Sequence, residues 1–273
     1  MKTKGGFTLF DNVNEFITWL NKQNVTRKIT RLQVHHMAAP DYNTWEKTDK
    51  KVYASDPELG RTASLNSYGV SKGWGGIAQH FNIFPNGKIT TGRNLNKTPV
   101  GIRGWNTNAL CIEILGNFDK GRDSITAEQK KAAIALYGEL CKKFKLTPST
   151  STIRPHCWFT ASGSYLGDYN KSKSAKSCPG TNFMGYGNTK TGFAKFITDV
   201  KNYIDSSSVF KQYIVRTTAT SLNARKGPGT SYEIETKLPK GTAVTIVGQS
   251  GDWLKTKAGY WIHKDYVEFV KFV

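Results

Sequence analysis

Three short segments of the chain carry side chains that can bind a transition metal. They are VHH at 34–36, RPHC at 154–157 and SCPG at 177–180. A catalytic zinc site needs three nitrogen, sulfur or oxygen ligands and one open position for water. Two neutral imidazoles and one thiolate leave such a site positively charged, so that it still polarises the water strongly. At the level of residue types, Cys157 competes with Cys178 for the sulfur ligand.

An acidic residue stands inside one of the apolar segments. The segment 109–115 (ALCIEIL) predicts a strand, and alternation along it puts Glu113 on the face opposite Ile112 and Ile114. A carboxylate in such a strand is either paired or functional. It can accept a proton during amide hydrolysis. The alternative interpretation is a buried salt bridge to a nearby arginine.

The elements that must position these groups follow from the apolar periodicity. Apolar runs predict strands over 29–36, 76–84, 88–92 and 109–115, and the Asn86-Gly87 turn joins the middle two as a hairpin. Apolar residues at helical spacing predict helices over 11–22, from Thr126 to Phe144 and over about 192–204. Thr126 and Gln129 have the spacing of a capping box.

A change in composition divides the chain. Residues 205–211 (DSSSVFK) contain three consecutive serines, which suit a linker. Beyond them, short strands alternate with glycine- and proline-rich turns, a pattern typical of a small β-barrel. The predicted organisation is therefore a domain over 1–204, a linker over 205–211 and a second domain over 212–273.

The chain is strongly basic, with 39 Lys and Arg against 20 Asp and Glu, and its formal net charge is +19. A field of this sign attracts polyanions. The basic residues are spread along the chain without a run of five or six, which disfavours a nucleic-acid-binding arm. Anionic wall polymers and acidic membrane surfaces fit the charge as partners.

Targeting and redox signals are sparse. No apolar segment follows the basic residues of MKTKGG at 1–6, so a secretory signal peptide is not expected. No apolar stretch reaches the length of a membrane span. The four cysteines are too few and too unevenly spaced for a disulfide scaffold, which favours burial or metal ligation for each.

Residues 29–180 resemble the zinc amidases of the amidase-2 and peptidoglycan-recognition-protein superfamily, which includes phage endolysins and bacterial autolysins. The resemblance rests on LQVHHMA at 32–38, HFNIFPNGKITTGR at 80–93, NTNALCIEILGNFD at 106–119, RPHC at 154–157 and KSCPG at 176–180. It implies an α/β fold with a mixed central β-sheet flanked by helices, and Zn²⁺ bound by His35, His156 and Cys178. Cys157 is then a buried small side chain, and His36 faces away from His35. The stretch between His156 and Cys178 is longer than is usual in the family, which suggests an inserted loop beside the substrate groove.

The same resemblance implies the reaction, which is hydrolysis of the amide bond between N-acetylmuramic acid and L-alanine of the stem peptide. It assigns Glu113 as the proton acceptor and Lys176 as a stabiliser of the oxyanion. An exposed lysine in a lysine-rich loop is the alternative interpretation of Lys176. Many members have a tyrosine where this chain has Gln79, and glutamine cannot ionise, so the mechanism depends more on Glu113. Tyr42 and Tyr68 are alternatives for the missing group.

Residues 213–270 resemble a bacterial SH3-like domain. The matching stretches are SLNARKGPGTSYE at 221–233, LPKGT at 238–242 and GDWLKTKAGYWIHKDYV at 251–267. Such small all-β barrels usually target phage and bacterial hydrolases to the cell wall. Their aromatic residues pack in the barrel or line a groove, and no ligand contact is assigned here. His80 and His263 are interpreted as structural.

The two resemblances together predict a bacteriolytic endolysin of phage or prophage type. It would be made in the host cytoplasm without a signal peptide and would reach the wall through a holin lesion. Peptidoglycan and anionic wall polymers are the expected partners, without nucleic acid or stable membrane insertion, and the oligomeric state stays open. A non-catalytic peptidoglycan receptor, marked by loss of a zinc ligand, is one alternative. A hydrolase of another wall amide bond is the second.

Overall fold

A seven-stranded mixed sheet lies at the centre of the first of two structural units, Met1–Ile204 and Asp205–Val273. The computed structural model describes residues 1–208, 210 and 212–273, without the side chains of residues 207 and 208. The strands of the first sheet are β1 (Lys2–Lys4), β2 (Phe7–Phe10), β3 (Arg31–His36), β4 (Phe81–Ile83), β5 (Ile89–Thr91), β6 (Ala109–Ile114) and β7 (Ile153–Pro155).

The order across this sheet is β1-β2-β5-β4-β6-β3-β7. Strands β4, β6, β3 and β7 run parallel to one another, whereas β1, β2 and β5 join by antiparallel pairing. The predicted strands and their hairpin are therefore present, and the mixed α/β architecture is confirmed. The short strands β1, β2 and β7 were not predicted, because runs of three or four residues carry too little periodicity.

The helices of this unit are α1 (Val13–Asn21), α2 (Tyr42–Thr44), α3 (Lys50–Val52), α4 (Pro57–Ser71), α5 (Ala127–Phe144) and α6 (Lys190–Ser208), with a π-helical turn at Trp45–Asp49. The Thr126 side chain accepts a hydrogen bond from the Gln129 N–H, as the capping box predicts. Helix α4 was not predicted, because its buried face includes Glu58, Thr62 and Gly69 and so lacks an apolar stripe.

Helix α6 is longer than the sequence predicts. It continues through Ser208, so the first four residues of the expected linker are helical. Of the remaining linker residues, Val209 and Lys211 lie outside the described residues. No helix in the described part of the chain is long and apolar enough to cross a membrane.

In the core of the first unit, helices α1, α5 and α6 pack against one face of the sheet. Leu110, Ile112 and Ile114 of β6 are fully buried in this core, together with Leu136 and Leu140 of α5. The other face of β6 carries Cys111 and Glu113. This division matches the predicted alternation of the strand, and it leaves the polar face available for a site.

The second unit contains a seven-stranded antiparallel sheet in the order β10-β9-β13-β12-β11-β8-β14. Its strands are β8 (Tyr213–Thr217), β9 (Ser221–Arg225), β10 (Ile234–Pro239), β11 (Ala243–Ser250), β12 (Trp253–Thr256), β13 (Trp261–His263) and β14 (Val267–Phe272). A small separate core of eight buried residues, among them Val215, Ile246 and Ile262, holds it together. The predicted small all-β domain is confirmed.

Candidate metal centre

The structure brings His35, His156 and Cys178 together. One potential ligand atom from each lies within 4.8 Å of the others, and no other such group of His, Cys, Asp or Glu occurs in the described residues. The His35 and His156 ring centroids are 5.0 Å apart, and His35 Nδ1 is 3.7 Å from Cys178 Sγ. Parallel pairing explains the arrangement, because β7 lies beside β3 and delivers His156 next to the end of that strand.

A buried glutamine determines which nitrogen of His35 faces the cysteine. The His35 Nε2–H donates to Gln33 Oε1 at 3.3 Å, which leaves the lone pair of Nδ1 directed towards Cys178. Gln33 is itself held, because its Oε1 also accepts from the Ile102 N–H and its Nε2 donates to the Trp105 carbonyl oxygen. Gly101 leaves room for this carboxamide, since a Cβ there would lie 2.0 Å from Gln33 Oε1.

A hydrogen-bonded loop positions the cysteine. Asp119 accepts hydrogen bonds from the Ser177 hydroxyl and the Thr181 N–H, on either side of Cys178. The His36 N–H donates to Cys178 Sγ at 3.4 Å. Gly180 is required here, because its φ is +112° and a Cβ would lie 2.4 Å from the Phe118 backbone. The loop therefore holds the thiol against the end of β3.

The ionisation of the three groups suits a cation. Burial lowers the pKa of His35 well below its ordinary value and that of His156 to about 4, so both imidazoles are neutral near pH 7. Burial also raises the pKa of the Cys178 thiol well above its usual range. A thiolate at this place consequently needs a positive charge beside it, which a metal ion supplies.

Glu113 lies beside the three groups. It is the register partner of His35 across the β3–β6 pair, and its Oε1 is 3.9 Å from His35 Nδ1. Within the described residues its carboxylate has no Arg or Lys partner, and its buried Oε2 accepts no hydrogen bond. The arginine salt bridge considered as an alternative is therefore not formed. Burial raises the pKa of Glu113 to about 8, although the Lys176 charge opposes the shift.

Lys176 is exposed on the loop that leads to Cys178. Its positive charge adds to burial in lowering the pKa of His156, and it opposes the larger effect of burial, which raises the pKa of Glu113. The ammonium therefore acts electrostatically on the site while remaining in contact with solvent. This position is compatible both with a role in charge stabilisation and with a solvated surface lysine.

The other cysteine and histidine side chains considered as ligands form hydrogen bonds outside this group. Cys157 is buried in the main core, and its thiol donates to the Asn188 carbonyl oxygen at 3.6 Å. The His36 ring accepts a hydrogen bond from the Phe118 N–H. His80 accepts from the Cys111 N–H and donates to the Lys97 carbonyl oxygen. None of these three belongs to the metal-capable group.

Gln79, Tyr42 and Tyr68, the candidates for the role of the missing tyrosine, each have other partners in the structure. Gln79 is buried, and its Nε2 donates at 2.6 Å to Asn82 Oδ1, on the residue that pairs in register with Glu113. The Tyr42 hydroxyl is hydrogen-bonded to Gln129, and burial raises its pKa. Tyr68 is exposed and packs edge-on against Trp74. Within the described residues, no hydrogen bond or ring pair joins Gln79, Tyr42 or Tyr68 to the three ligand candidates.

Sequence reasoning missed Gln33 and Asp119. Gln33 precedes His35 by two residues, so alternation alone places both side chains on one face of β3. A polar residue inside an apolar strand is the same signal that singled out Glu113. Asp119 had no comparable signal, because its partners Ser177 and Thr181 are about sixty residues distant in the chain.

A concave surface lies in the Asp205–Val273 unit. It is a cavity of about 440 Å³ whose lining includes Asn223, Arg225, Trp253, His263 and Tyr266. The three rings form a row, with centroid separations of 5.2 Å between Trp253 and His263 and 5.8 Å between His263 and Tyr266. Half of Tyr266 is exposed, so this row is accessible from solvent.

Comparison with known proteins gives two family matches. The model of the amidase-2 family, described as N-acetylmuramoyl-L-alanine amidase, matches residues 25–181, which is more than half of the chain. A bacterial SH3 domain model matches residues 220–268. Bacillus subtilis YrvJ, provisionally described as an N-acetylmuramoyl-L-alanine amidase, is 36% identical over 56 residues. These residues are 19% of this chain and 11% of YrvJ, so the chain spans a small part of that relative.

Solved structures with similarity include two amidases from Clostridium intestinale. LysC is 20% identical with a TM-score of 0.41, covering 64% of this chain and 87% of its own. The endolysin LysCS is 19% identical with a TM-score of 0.42, covering 74% and 93% respectively. Drosophila PGRP-LB is 17% identical with a TM-score of 0.41, covering 63% and 82%. At these levels the similarities decide nothing about activity.

Proposed function

Because the chain belongs to the amidase-2 family of N-acetylmuramoyl-L-alanine amidases, we propose that it hydrolyses the amide bond between N-acetylmuramic acid and L-alanine in peptidoglycan. The observation that carries the proposal is the group formed by His35, His156 and Cys178 with Glu113 beside it. A non-catalytic receptor on this fold would have no need for a complete set of ligands. The retained set therefore favours an enzyme.

The donor set fits Zn²⁺. Two neutral imidazoles and one thiolate are ligands that zinc prefers, and three protein ligands are typical of catalytic rather than structural zinc sites. The unpartnered Oε2 of Glu113 is a buried polar atom that a bound water can satisfy. Zinc held by His35, His156 and Cys178 would supply Lewis acidity for amide hydrolysis.

The residues of the chain then have distinct tasks. Glu113 accepts a proton from the attacking water and returns it to the leaving amine. A cation held by His35, His156 and Cys178 would oppose the burial that raises the pKa of Glu113 to about 8, and so would favour the carboxylate form that this role requires. Lys176 offers positive charge to the oxyanion that develops on the carbonyl. Gln33 holds His35 in the tautomer that presents Nδ1.

Mass spectrometry of digested cell walls tests the proposal directly. The expected product is a free L-alanine amino terminus together with an unsubstituted muramic lactyl carboxylate. Cleavage between two residues of the peptide would assign the enzyme to another wall amide bond. Binding without any product in the zinc-loaded protein would make the chain a receptor and overturn the proposal.

Gln33→Met is expected to weaken zinc binding by about 10- to 100-fold, because the His35 tautomer and ring orientation lose their support. A competition titration against a chromophoric chelator measures this affinity. Gln129→Met is the matched control, since Gln129 is an equally buried glutamine whose amide bonds the Ile83 and Leu115 carbonyl oxygens. It should cost stability and leave zinc affinity unchanged. Equal zinc affinity in folded Gln33→Met and wild type would contradict the positioning role.

We assign wall targeting to the second unit, whose sequence matches the bacterial SH3 domain. A chain ended after Ser208 is expected to fold, bind zinc and hydrolyse soluble muropeptides, because the first unit has its own core. Its binding to insoluble walls should weaken, because two linked sites raise the effective concentration. A pull-down with purified Gram-positive walls measures the effect. Unchanged wall binding by the shortened chain would refute the targeting role.

The row of Trp253, His263 and Tyr266 is the surface we assign to wall binding. Tyr266→Ala is expected to weaken wall binding about tenfold or more, since aromatic anchors dominate such contacts. Phe269→Ala is the control, because Phe269 is an exposed aromatic residue of the same unit outside the cavity. Equal losses in both variants would indicate nonspecific adhesion.

Phage origin, holin-dependent release and an interaction with anionic wall polymers remain proposals. The formal charge of +19 supports the polymer interaction, because Lys- and Arg-rich surfaces attract polyanions. Binding to walls that contain such polymers is therefore expected to weaken at high ionic strength, because salt screens the charges.

A further inference from the structure

Two arginines on neighbouring strands share one aromatic ring. Arg31 begins β3, and Arg154 lies in β7 opposite Gln33. The guanidinium carbons of Arg31 and Arg154 lie 5.2 and 5.1 Å from the Trp105 ring centroid. Arg154 also lies 3.9 Å from the ring centroid of Tyr165. The four residues form what we term the arginine cluster.

The charges of this cluster are not neutralised within the described residues. Neither arginine forms an ion pair in this part of the chain, and the only hydrogen bond that either guanidinium donates there runs from Arg154 Nε to the Thr150 carbonyl oxygen. Both side chains are half-buried, and the charge of Arg154 adds to burial in lowering the pKa of Arg31. Two cations placed together at such a position favour an anion between or beside them.

The arginine cluster lies on the same face of the sheet as the metal centre. Side chains at every second residue of a strand share a face, so Arg31, Gln33 and His35 point to one side of β3. Arg31 precedes His35 by four residues, which corresponds to about 13 Å along the strand. Gln33 lies between them and is buried beneath residues 101–106, so a ligand that joins the two sites passes over that segment. An extended peptide spans about 13 Å in about four residues.

The loop between His156 and Cys178 contributes to the cluster. Tyr165 belongs to this loop, and a β-bridge pairs it with Phe159. Nearly half of Tyr165 is exposed, so its ring covers one side of Arg154 while the site stays open to solvent. The loop between His156 and Cys178 thus contributes a side chain to the arginine cluster.

We propose that Arg31 and Arg154 bind the free carboxylate at the end of the stem peptide, about four residues beyond the amide that is cut. The inference rests on the proposed function, because it takes the stem peptide as the ligand. The planar fork of a guanidinium matches a carboxylate in a bidentate way. A half-buried pair suits one planar anion better than a long phosphate polymer, which needs an extended basic track.

The test compares two synthetic ligands with the full-length protein. One is a muramoyl tetrapeptide with a free terminal carboxylate, and the other is its terminal amide. Wild type is expected to prefer the carboxylate by about 10- to 100-fold in KM, with equal kcat. Arg31→Gln should reduce this preference to near one without changing the kinetics of the amide. Arg154→Gln should act similarly, and Arg31→Lys should recover only part of the preference.

Arg103→Gln is the matched control, because Arg103 is an exposed arginine two residues before Trp105 that contributes no guanidinium to the cluster. It removes the same charge and should keep the preference. Equal kinetics of both substrates with wild type, or equal losses on both with Arg31→Gln, would overturn the proposal.

Calorimetry with the two product peptides separates this inference from the proposed function. If the protein cuts neither substrate, the proposed function fails, whereas a carboxylate-dependent affinity lost in Arg31→Gln would still support the subsite. Arg31→Gln could instead weaken the binding of a polyphosphate polymer or of glycan chains while the affinity for both peptides stays unchanged. That result would reject the carboxylate subsite and assign the surface to the polymer or glycan.

Discussion

Glu113→Gln is expected to retain the fold and zinc while losing about 10²–10⁴ in turnover. Glutamine keeps the size of the side chain but cannot accept the proton. The carboxylate has no Arg or Lys partner among the described residues, so its removal leaves no unpaired cation and should not lower stability by the several kcal/mol of a broken buried salt bridge. Turnover, zinc content and melting temperature are measured on the same preparation.

Glu139→Gln is the control for this experiment. Glu139 is also buried, but its carboxylate accepts hydrogen bonds from Lys142 and Tyr203 on the helical side of the unit. Its substitution should lower the melting temperature and leave turnover per folded molecule unchanged. Near-wild-type turnover in stable, zinc-loaded Glu113→Gln would remove Glu113 from the mechanism. Gln79, which bonds the neighbouring Asn82, would then be examined first.

Loss of any one of His35, His156 and Cys178 is expected to abolish stable zinc binding and activity. Each alanine variant leaves two ligands, which are too few for the three-ligand arrangement of a catalytic zinc site. Zinc content by elemental analysis and wall lysis by turbidity report the two losses. A strong chelator should likewise inactivate the wild type, and added zinc should restore activity.

Cys157→Ser provides the matched control, since its thiol lies next to His156 in sequence but bonds the Asn188 carbonyl oxygen. It should keep one zinc per chain and retain activity, with some loss of stability in the core. Full activity of the metal-free wild type would refute zinc dependence. If Cys157→Ser lost as much zinc as Cys178→Ala, the assignment of Cys178 as the sulfur ligand would be wrong.

Much of the fold was predictable because its longer elements carry strong local patterns. Strand β6 places Leu110, Ile112 and Ile114 in the core as predicted, and helix α5 begins at the expected cap, Thr126. Helix α4 was not predicted because its packed face is partly polar. Its buried Glu58 and Thr62 side chains form tertiary hydrogen bonds with Asn86 and Thr90. The short strand β7 was not predicted because three residues are too few to show an alternating pattern.

The sequence by itself determined which segments of this protein hold metal-binding side chains, the two-part organisation and the face of β6 that carries Glu113. These features depend on residue type and on spacing within a single element. The tertiary structure decided that Cys178 and not Cys157 meets His35, that Glu113 lacks an arginine partner among the described residues, and that Gln33 orients His35. Such outcomes depend on the register of parallel strands and on loop closure. These join residues far apart in the chain, where local periodicity carries no information.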